Sequence, residues 1–407
     1  MKTTETLSRD MRLDALRGLL LVIMAGVHVP TPVSHVLQEP LGYTSAAEGF
    51  IFLGACLSGL VYGRTYGRAG WPAMSQRAWK RARLIYLVHM AVLLPVALMA
   101  WMFAGQLAPL ANHFHDFLEH PWGSLALLPF LLHQPPLFDI LPLYVIFLGA
   151  TPLLLAGARR KGWKIVLLWS TLIWLAAQFR LDVYLIGDPS RWLPLRWGSF
   201  DFLAWQLVWV AGLALGEMTI HRPIIPPERR LGLAAVAVLI VLAGFIARHG
   251  LLPPAWVPSQ LDLWVDKWTL GPLRVLNFGA WVMLLLVWNP RLPTRLLAPA
   301  ALLGRHSLAV FACHLPLVIA ATTVVQVFVL SPSEQTLIGL LVIAALFPWA
   351  AWLEHDPLAS VQVAMAAPVS ARRLALRTGS RSVELFPDVS LRPLFPRIRA
   401  SARIVHA

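Results

Sequence analysis

Apolar runs of roughly 17 to 25 residues, each long enough to cross a ~30 Å hydrocarbon layer, recur along this chain between short breaks of Pro, Gly and charge. They lie near 13–30, 46–63, 84–104, 138–157, 163–180, 200–217, 231–248, 272–290, 305–329 and 336–353. With 58% of residues hydrophobic and only 13% charged, one soluble core cannot hide so many segments, so lipid must act as the solvent. The expected fold is all-α and integral to a membrane: a polytopic bundle of about ten transmembrane helices.

A formal net charge of +14 would point to nucleic acid if it lay on one soluble face. Instead it is sorted by loop. The turn 64–83 holds six Lys or Arg, Arg159, Arg160, Lys161 and Lys164 follow in the next alternate connection, and the tail after Leu353 adds eight. The loops 31–45, 105–137 and 331–335 hold none. Assigning every second loop to the cytoplasm places about 26 of the 34 basic residues inside and about five outside, the positive-inside asymmetry. An even number of spans and two cytoplasmic termini follow, with the lipid bilayer rather than nucleic acid as partner.

Asp14 and Arg17 lie inside the first apolar run and no small-residue cleavage site follows Pro30, so that run reads as a span and not a leader. Residues 1–353 form one transmembrane domain. Residues 354–407 are rich in Arg, Ser and Pro and read as a basic cytoplasmic tail, disordered or lying on the anionic leaflet. Cys56 and Cys313 fall within spans as small core residues, and no metal-ligand spacing appears. The outer loop 105–137 has an apolar stretch, 122–132, too short to span and suited to a re-entrant or interfacial segment.

A charge inside a span costs roughly 2.5 to 3.5 kcal/mol on insertion scales, so intramembrane ionisable residues are functional candidates. The first span has Asp14, Arg17 and His28. At about 100° per residue, Arg17 falls within ~20° of His28 and Asp14 within ~40°, so the three share one face. Asp14 and His28 are about 21 Å apart along the axis at ~1.5 Å per residue, which puts them near opposite ends. Glu48, at the start of the second span, comes to nearly the depth of His28, and a His with a carboxylate at one depth suits a general base and its orienting partner. The plainer alternatives are a local Asp14–Arg17 ion pair, a span-ending His28 and a dipole-favouring Glu48 at a helix start.

Arg12-Leu-Asp14-Ala-Leu-Arg17, with His28 following, and Ala47-Glu48-Gly-Phe-Ile-Phe-Leu-Gly resemble the first two spans of the OpgC family, which is similar to the acyltransferase-3 group. Gln134-Pro-Pro-Leu-Phe-Asp139-Ile-Leu-Pro142-Leu-Tyr144, Phe202-Leu-Ala-Trp205-Gln206-Leu, Asp266-Lys267-Trp-Thr-Leu-Gly271-Pro-Leu-Arg274 and Leu303-Gly-Arg305-His306-Ser307-Leu resemble that family in the same order. The resemblance implies an inner-membrane, ten-span enzyme that transfers an acyl group, succinyl for the namesake, to hydroxyls of osmoregulated periplasmic glucans. It implies cytoplasmic acyl-CoA as co-substrate and dependence on His28 and Arg17. Two departures bear on the acceptor: Val-Pro-Thr-Pro follows His28 where glucan-modifying members have Ile-Pro-Gly, and Asp201 stands where an Asn is expected.

On that footing His28, Glu48 and Asp14 are the catalytic candidates. Arg17, Arg64 and Arg305 are candidates for holding the donor phosphates, Arg305 alternatively being a helix-start residue. An extended pantetheine arm has a length comparable with the distance from Arg17 to His28, so a thioester entering from the cytoplasm reaches the outer end. Asp139 and Tyr144 are candidates for binding sugar hydroxyls, Trp205 and Gln206 for a stacking face and an amide, and Arg274 for an acidic acyl group. Interfacial anchoring is the plainer account of Tyr144 and of most Trp residues. A transporter with an intramembrane charged relay is the alternative function, though no paired broken helices mark matching halves.

Overall fold

The computed structural model describes residues 10–103, 105–181, 198–219, 225–256, 258, 260–288 and 293–355, and is all helical over them. The tail from residue 356, expected to be disordered or membrane-bound, lies outside the described residues.

Local chemistry sets the helix ends. The α1 helix (Met11–His28) is capped by Asp10, whose side chain accepts from the Arg12 N–H. It stops where Val29, extended ahead of Pro30, can no longer hold the helical conformation. The short α2 (Pro32–Gln38) opens with a reciprocal Thr31–Ser34 capping box. The α3 segment (Ala46–Phe103) is two arms broken at Gly70, whose φ of 76° suits glycine, and Arg77 donates to Thr65 Oγ1 across the turn at 3.3 Å. The two arms carry the expected second and third spans, and the basic stretch 64–83 is their helical hairpin.

Short helices α4 (Ala108–His113), α5 (His115–Glu119) and α6 (Pro121–Leu127) build the loop expected to be re-entrant or interfacial. Next come α7 (Ile140–Lys161), α8 (Trp163–Gln178), α9 (Phe202–Met218), α10 (Arg230–Arg248), the short α11 (Leu261–Val265) and α12 (Pro272–Trp288). The chain continues through α13 (Thr294–Arg305), α14 (Ser307–Val327) and α15 (Pro332–His355).

By length and composition, α3, α7, α10, α14 and α15 are able to cross a membrane. The α8, α9 and α12 helices are apolar but shorter. The α1 helix has 18 residues but carries Arg12, Asp14 and Arg17.

Backbones meet where side chains are absent. Helix α1 packs along α13 and against α3, α14 and α15, while α9 packs along α3, α7 and α8. A Cβ on Gly304 would lie 1.8 Å from the Asp14 carbonyl oxygen, and one on Gly18 1.8 Å from that of Ala300. Gly212 and Gly216, spaced as small-xxx-small, do the same for α9 on α3, where a Gly216 Cβ would lie 1.9 Å from the Cys56 carbonyl oxygen. Gly216→Ala is therefore expected to destabilise the fold by about 1–3 kcal/mol through overpacking, measured by denaturant titration from detergent micelles. Gly149→Ala, where nothing lies within 4 Å, is the matched control and should stabilise slightly.

Candidate functional site

The C-terminal end of α1 delivers His28 against α14, where its ring stacks on His314 with centroids 5.6 Å apart and planes 20° from parallel. Helix α14 fixes the second ring twice. Phe311, one turn earlier, packs edge-on against it at 4.7 Å, and the Phe311 carbonyl oxygen lies 2.5 Å from His314 Nδ1. A carbonyl only accepts, so Nδ1 carries the proton and Nε2 the lone pair. Both His314 Nε2 and His28 Nδ1 are buried without a hydrogen-bond partner among the described residues. Buried polar atoms are normally satisfied, so two orphaned imidazole nitrogens on stacked rings mark a place where a substrate proton can be exchanged.

A third imidazole approaches from the loop between α3 and α7. His113 ends α4, which packs on α14, and its charge reaches His28; its Nε2 is also buried and unpartnered among the described residues. Burial draws the His113 imidazole below its usual value, which favours the neutral, proton-accepting form. Lys267 also lies within electrostatic reach of His28.

Glu48, expected to orient His28, makes its hydrogen bonds and ion pair with other residues. Its carboxylate is fully buried, accepts from the Ser45 N–H at 3.0 Å and from the Ser45 hydroxyl, and pairs with Arg274 Nε. Ser45 is thus the cap of α3 and Glu48 its returning third residue. Arg274, 1% exposed, also donates to Glu39 and to the Val265 carbonyl at 3.0 Å; Glu39 in turn takes Arg248 Nε at 2.7 Å. The chain Arg248–Glu39–Arg274–Glu48–Ser45 ties α10, the loop before α3, α12 and the start of α3 together. Arg274, expected to receive an acidic acyl group, is engaged on all three of its nitrogens by Glu48, Val265 and Glu39.

Other expected acceptor residues also serve the scaffold. Tyr144 faces the bundle interior, donating to the Phe50 carbonyl at 2.6 Å and meeting Trp209 edge-on at 5.3 Å. From there rings continue through Phe50 and Phe311, 5.9 Å apart, to His314. Asp139, just before α7, accepts from the Ser199 N–H at 2.9 Å. Gln206 exchanges two hydrogen bonds of 2.7 Å with Ser170 and so locks α9 to α8. Trp205 is wholly buried and donates to the Trp268 carbonyl at 3.0 Å.

At the opposite end of α1, Arg17 reaches Asp14 at 3.9 Å and donates to the Ser307 hydroxyl. Arg81, from the second arm of α3, lies within electrostatic reach of Arg17, Tyr62 and Tyr144. The sequence offered Arg81 only as one of six charges in a basic turn. Arg64 is half-buried beside Arg68. Arg305 pairs with Glu354 at 3.2 Å, and His306 joins the same carboxylate at 2.6 Å. In these contacts Arg305 closes α13 onto α15. Among the described residues the one candidate metal cluster, His115, Asp116 and Glu119, is at the protein surface and apart from the paired histidines in sequence and contact.

Helices long and apolar enough to cross a membrane, with buried imidazoles and an ion-pair chain between them, define a helical membrane protein with a polar interior site. The chain belongs to the OpgC protein family, whose family model matches residues 9–357. Membership suggests a transferase with a glucan-modifying, acyltransferase-like function. No curated protein and no solved structure matches the chain.

Proposed function

We propose that this protein is an integral membrane O-acyltransferase of the bacterial inner membrane, related to the acyltransferase-3 group. It would move a succinyl-like acyl group from cytoplasmic acyl-CoA to hydroxyls of a periplasmic glucan or other envelope glycan. In that arrangement ten segments cross the bilayer and both termini are cytoplasmic, as the charge distribution argues. The observation that carries the proposal is the His28–His314 pair, whose orphaned nitrogens sit at one end of α1 while Arg17 holds the other.

The chemistry divides along that helix. Arg17, with Arg81 nearby, supplies positive charge where the anionic donor enters. The pantetheine arm runs the length of α1 and brings the thioester carbonyl to the histidines. There His28 takes the proton from an acceptor hydroxyl as its oxygen bonds to the acyl carbon; the carbon–sulfur bond breaks and the thiolate leaves, to be protonated in turn. A route through an acyl-histidine uses the same residues in two steps. His314 holds the stacked ring in place and offers a second basic nitrogen. Asp14 steadies Arg17.

The purified protein, given acyl-CoA and a soluble glucan, is expected to release free CoA and increase the mass of the glucan by one or more acyl groups per chain. The alternative, a glycan transporter, predicts net movement of unmodified glycan across proteoliposomes with acyl-CoA left intact.

A further inference from the structure

The loop between α11 and α12 is short, yet it is held from every side. The Asp266 carboxylate accepts from the Thr269 N–H at 2.7 Å and from its hydroxyl at 2.6 Å, and the Gly271 N–H returns to the Asp266 carbonyl at 2.8 Å. Leu270 takes a left-handed φ of 52° to make that turn. Side chains from two other helices and the backbone N–H of Asp201 grip its carbonyls: Trp205 and the Asp201 N–H on Trp268, Gln178 on Thr269 at 2.6 Å, Trp174 on Leu270 at 2.9 Å. So many bonds on so few residues give a rigid platform, and a side chain on a rigid platform has a defined aim.

The residue on that platform is Lys267. Its ammonium lies over the rings of Phe200 and Trp268, 5.9 and 5.1 Å from their centroids, and makes no hydrogen bond or salt bridge among the described residues. Three carboxylates, Glu39, Glu48 and Asp139, act on it at longer range, as does the Arg274 guanidinium, and its own charge reaches His28. Every one of those carboxylates is already bonded elsewhere: Glu39 to Arg248 and Arg274, Glu48 to Arg274 and Ser45, Asp139 to the Ser199 N–H. Burial draws the Lys267 amine below its usual value, and an incoming anion would offset that. Arg274 is bonded to its own partners on all three nitrogens, whereas Lys267 is a cation within electrostatic reach of His28 whose ammonium makes no such bond among the described residues.

We infer that Lys267 is a specificity residue that recognises a carboxylate carried by one of the reacting partners and sets that partner beside His28. This rests on the proposed acyl transfer. The carboxylate belongs either to the acyl group of the donor or to an acidic sugar of the acceptor. An ammonium–carboxylate contact in a partly desolvated site is strong and geometrically selective, whereas the aromatic floor of Phe200 and Trp268 accepts an apolar or sugar face without choosing charge.

The test compares purified wild-type, Lys267→Met and Lys267→Arg proteins, each checked for an unchanged elution profile, with paired substrates. The donors are succinyl-CoA and acetyl-CoA; the acceptors are a neutral linear glucan and the same glucan bearing glucuronate. For Lys267→Met, kcat/KM with the carboxylate-bearing substrate should fall roughly 10- to 100-fold, the worth of a hydrogen bond to a charged group, while its neutral counterpart changes less than about twofold. Lys267→Arg should keep most of the preference. The donor pair responding places the carboxylate on the acyl group; the acceptor pair responding places it on the sugar. Equal losses with charged and neutral substrates would overturn the inference and make Lys267 a structural residue. A wild-type enzyme that transfers acyl groups but prefers no carboxylate would overturn it too, leaving acyl transfer standing, whereas a wild type that transfers no acyl group from any donor would overturn both.

Discussion

Replacing His28 by alanine is expected to lower acyl transfer by about 10²- to 10⁴-fold, the usual contribution of a positioned general base, without loss of the folded protein. The fold should survive because His28 lies at the last turn of α1 and forms no hydrogen bond or ion pair among the described residues, its ring stacking on that of His314. Its importance would thus be chemical. His314→Ala should lower the rate as well, since it removes both the stacking partner and the lone pair on Nε2. Turnover of the purified His28→Ala protein with labelled acyl-CoA decides the matter, and a near wild-type rate would remove the histidine pair from the mechanism.

The largest effect on stability is expected at Arg274. Removing one member of a buried ion pair leaves an uncompensated charge, at a cost of about 3–5 kcal/mol. Arg274→Ala strands Glu48, which is wholly buried, and leaves Glu39 with Arg248 alone. It also removes one of the ties between the loop before α3 and α12, leaving those from Thr44 to Asn277 and from Trp281 to the Leu41 carbonyl. The double variant Glu48→Met with Arg274→Met should recover part of the loss, because two apolar side chains need no partner. Denaturant titration from micelles measures both, and equal destabilisation by Arg274→Ala and the double variant would show that the pair itself is not what the fold depends on.

The helices were legible in the sequence because the bilayer imposes a length that hydropathy reports directly. Each expected span falls on a helix, but the second and third fall on the arms of α3, which run on beyond them through the basic stretch 64–83. The helix ahead of Ser307 was not foreseen: α13 follows the charged connection and uses Gly304 to lie against α1, a contact that hydropathy does not encode. His28 and Arg17 were legible as opposite ends of one helical face, since periodicity within one helix needs no knowledge of tertiary packing. Partners across the chain were not. Glu48 and Arg274 are separated by 226 residues, and nothing in either neighbourhood says that they meet. His314 is a polar residue inside an apolar run, and only packing shows that its ring lies on His28. Trp205 and Gln206 attracted notice as a motif, and what they hold is backbone and a neighbouring helix.

The central claim is that α1 connects a donor on one side of the membrane to an acceptor on the other, and sidedness tests it most directly. Proteoliposomes with the protein in one orientation, glucan sealed inside and labelled acyl-CoA added only outside, give a simple reading after the external label is removed. The mechanism predicts labelled ester on the enclosed glucan, free CoA outside and no acyl-CoA in the lumen, with the signal lost in the Arg17→Ala and His28→Ala proteins. Label appearing only on glucan placed on the same side as acyl-CoA would contradict it.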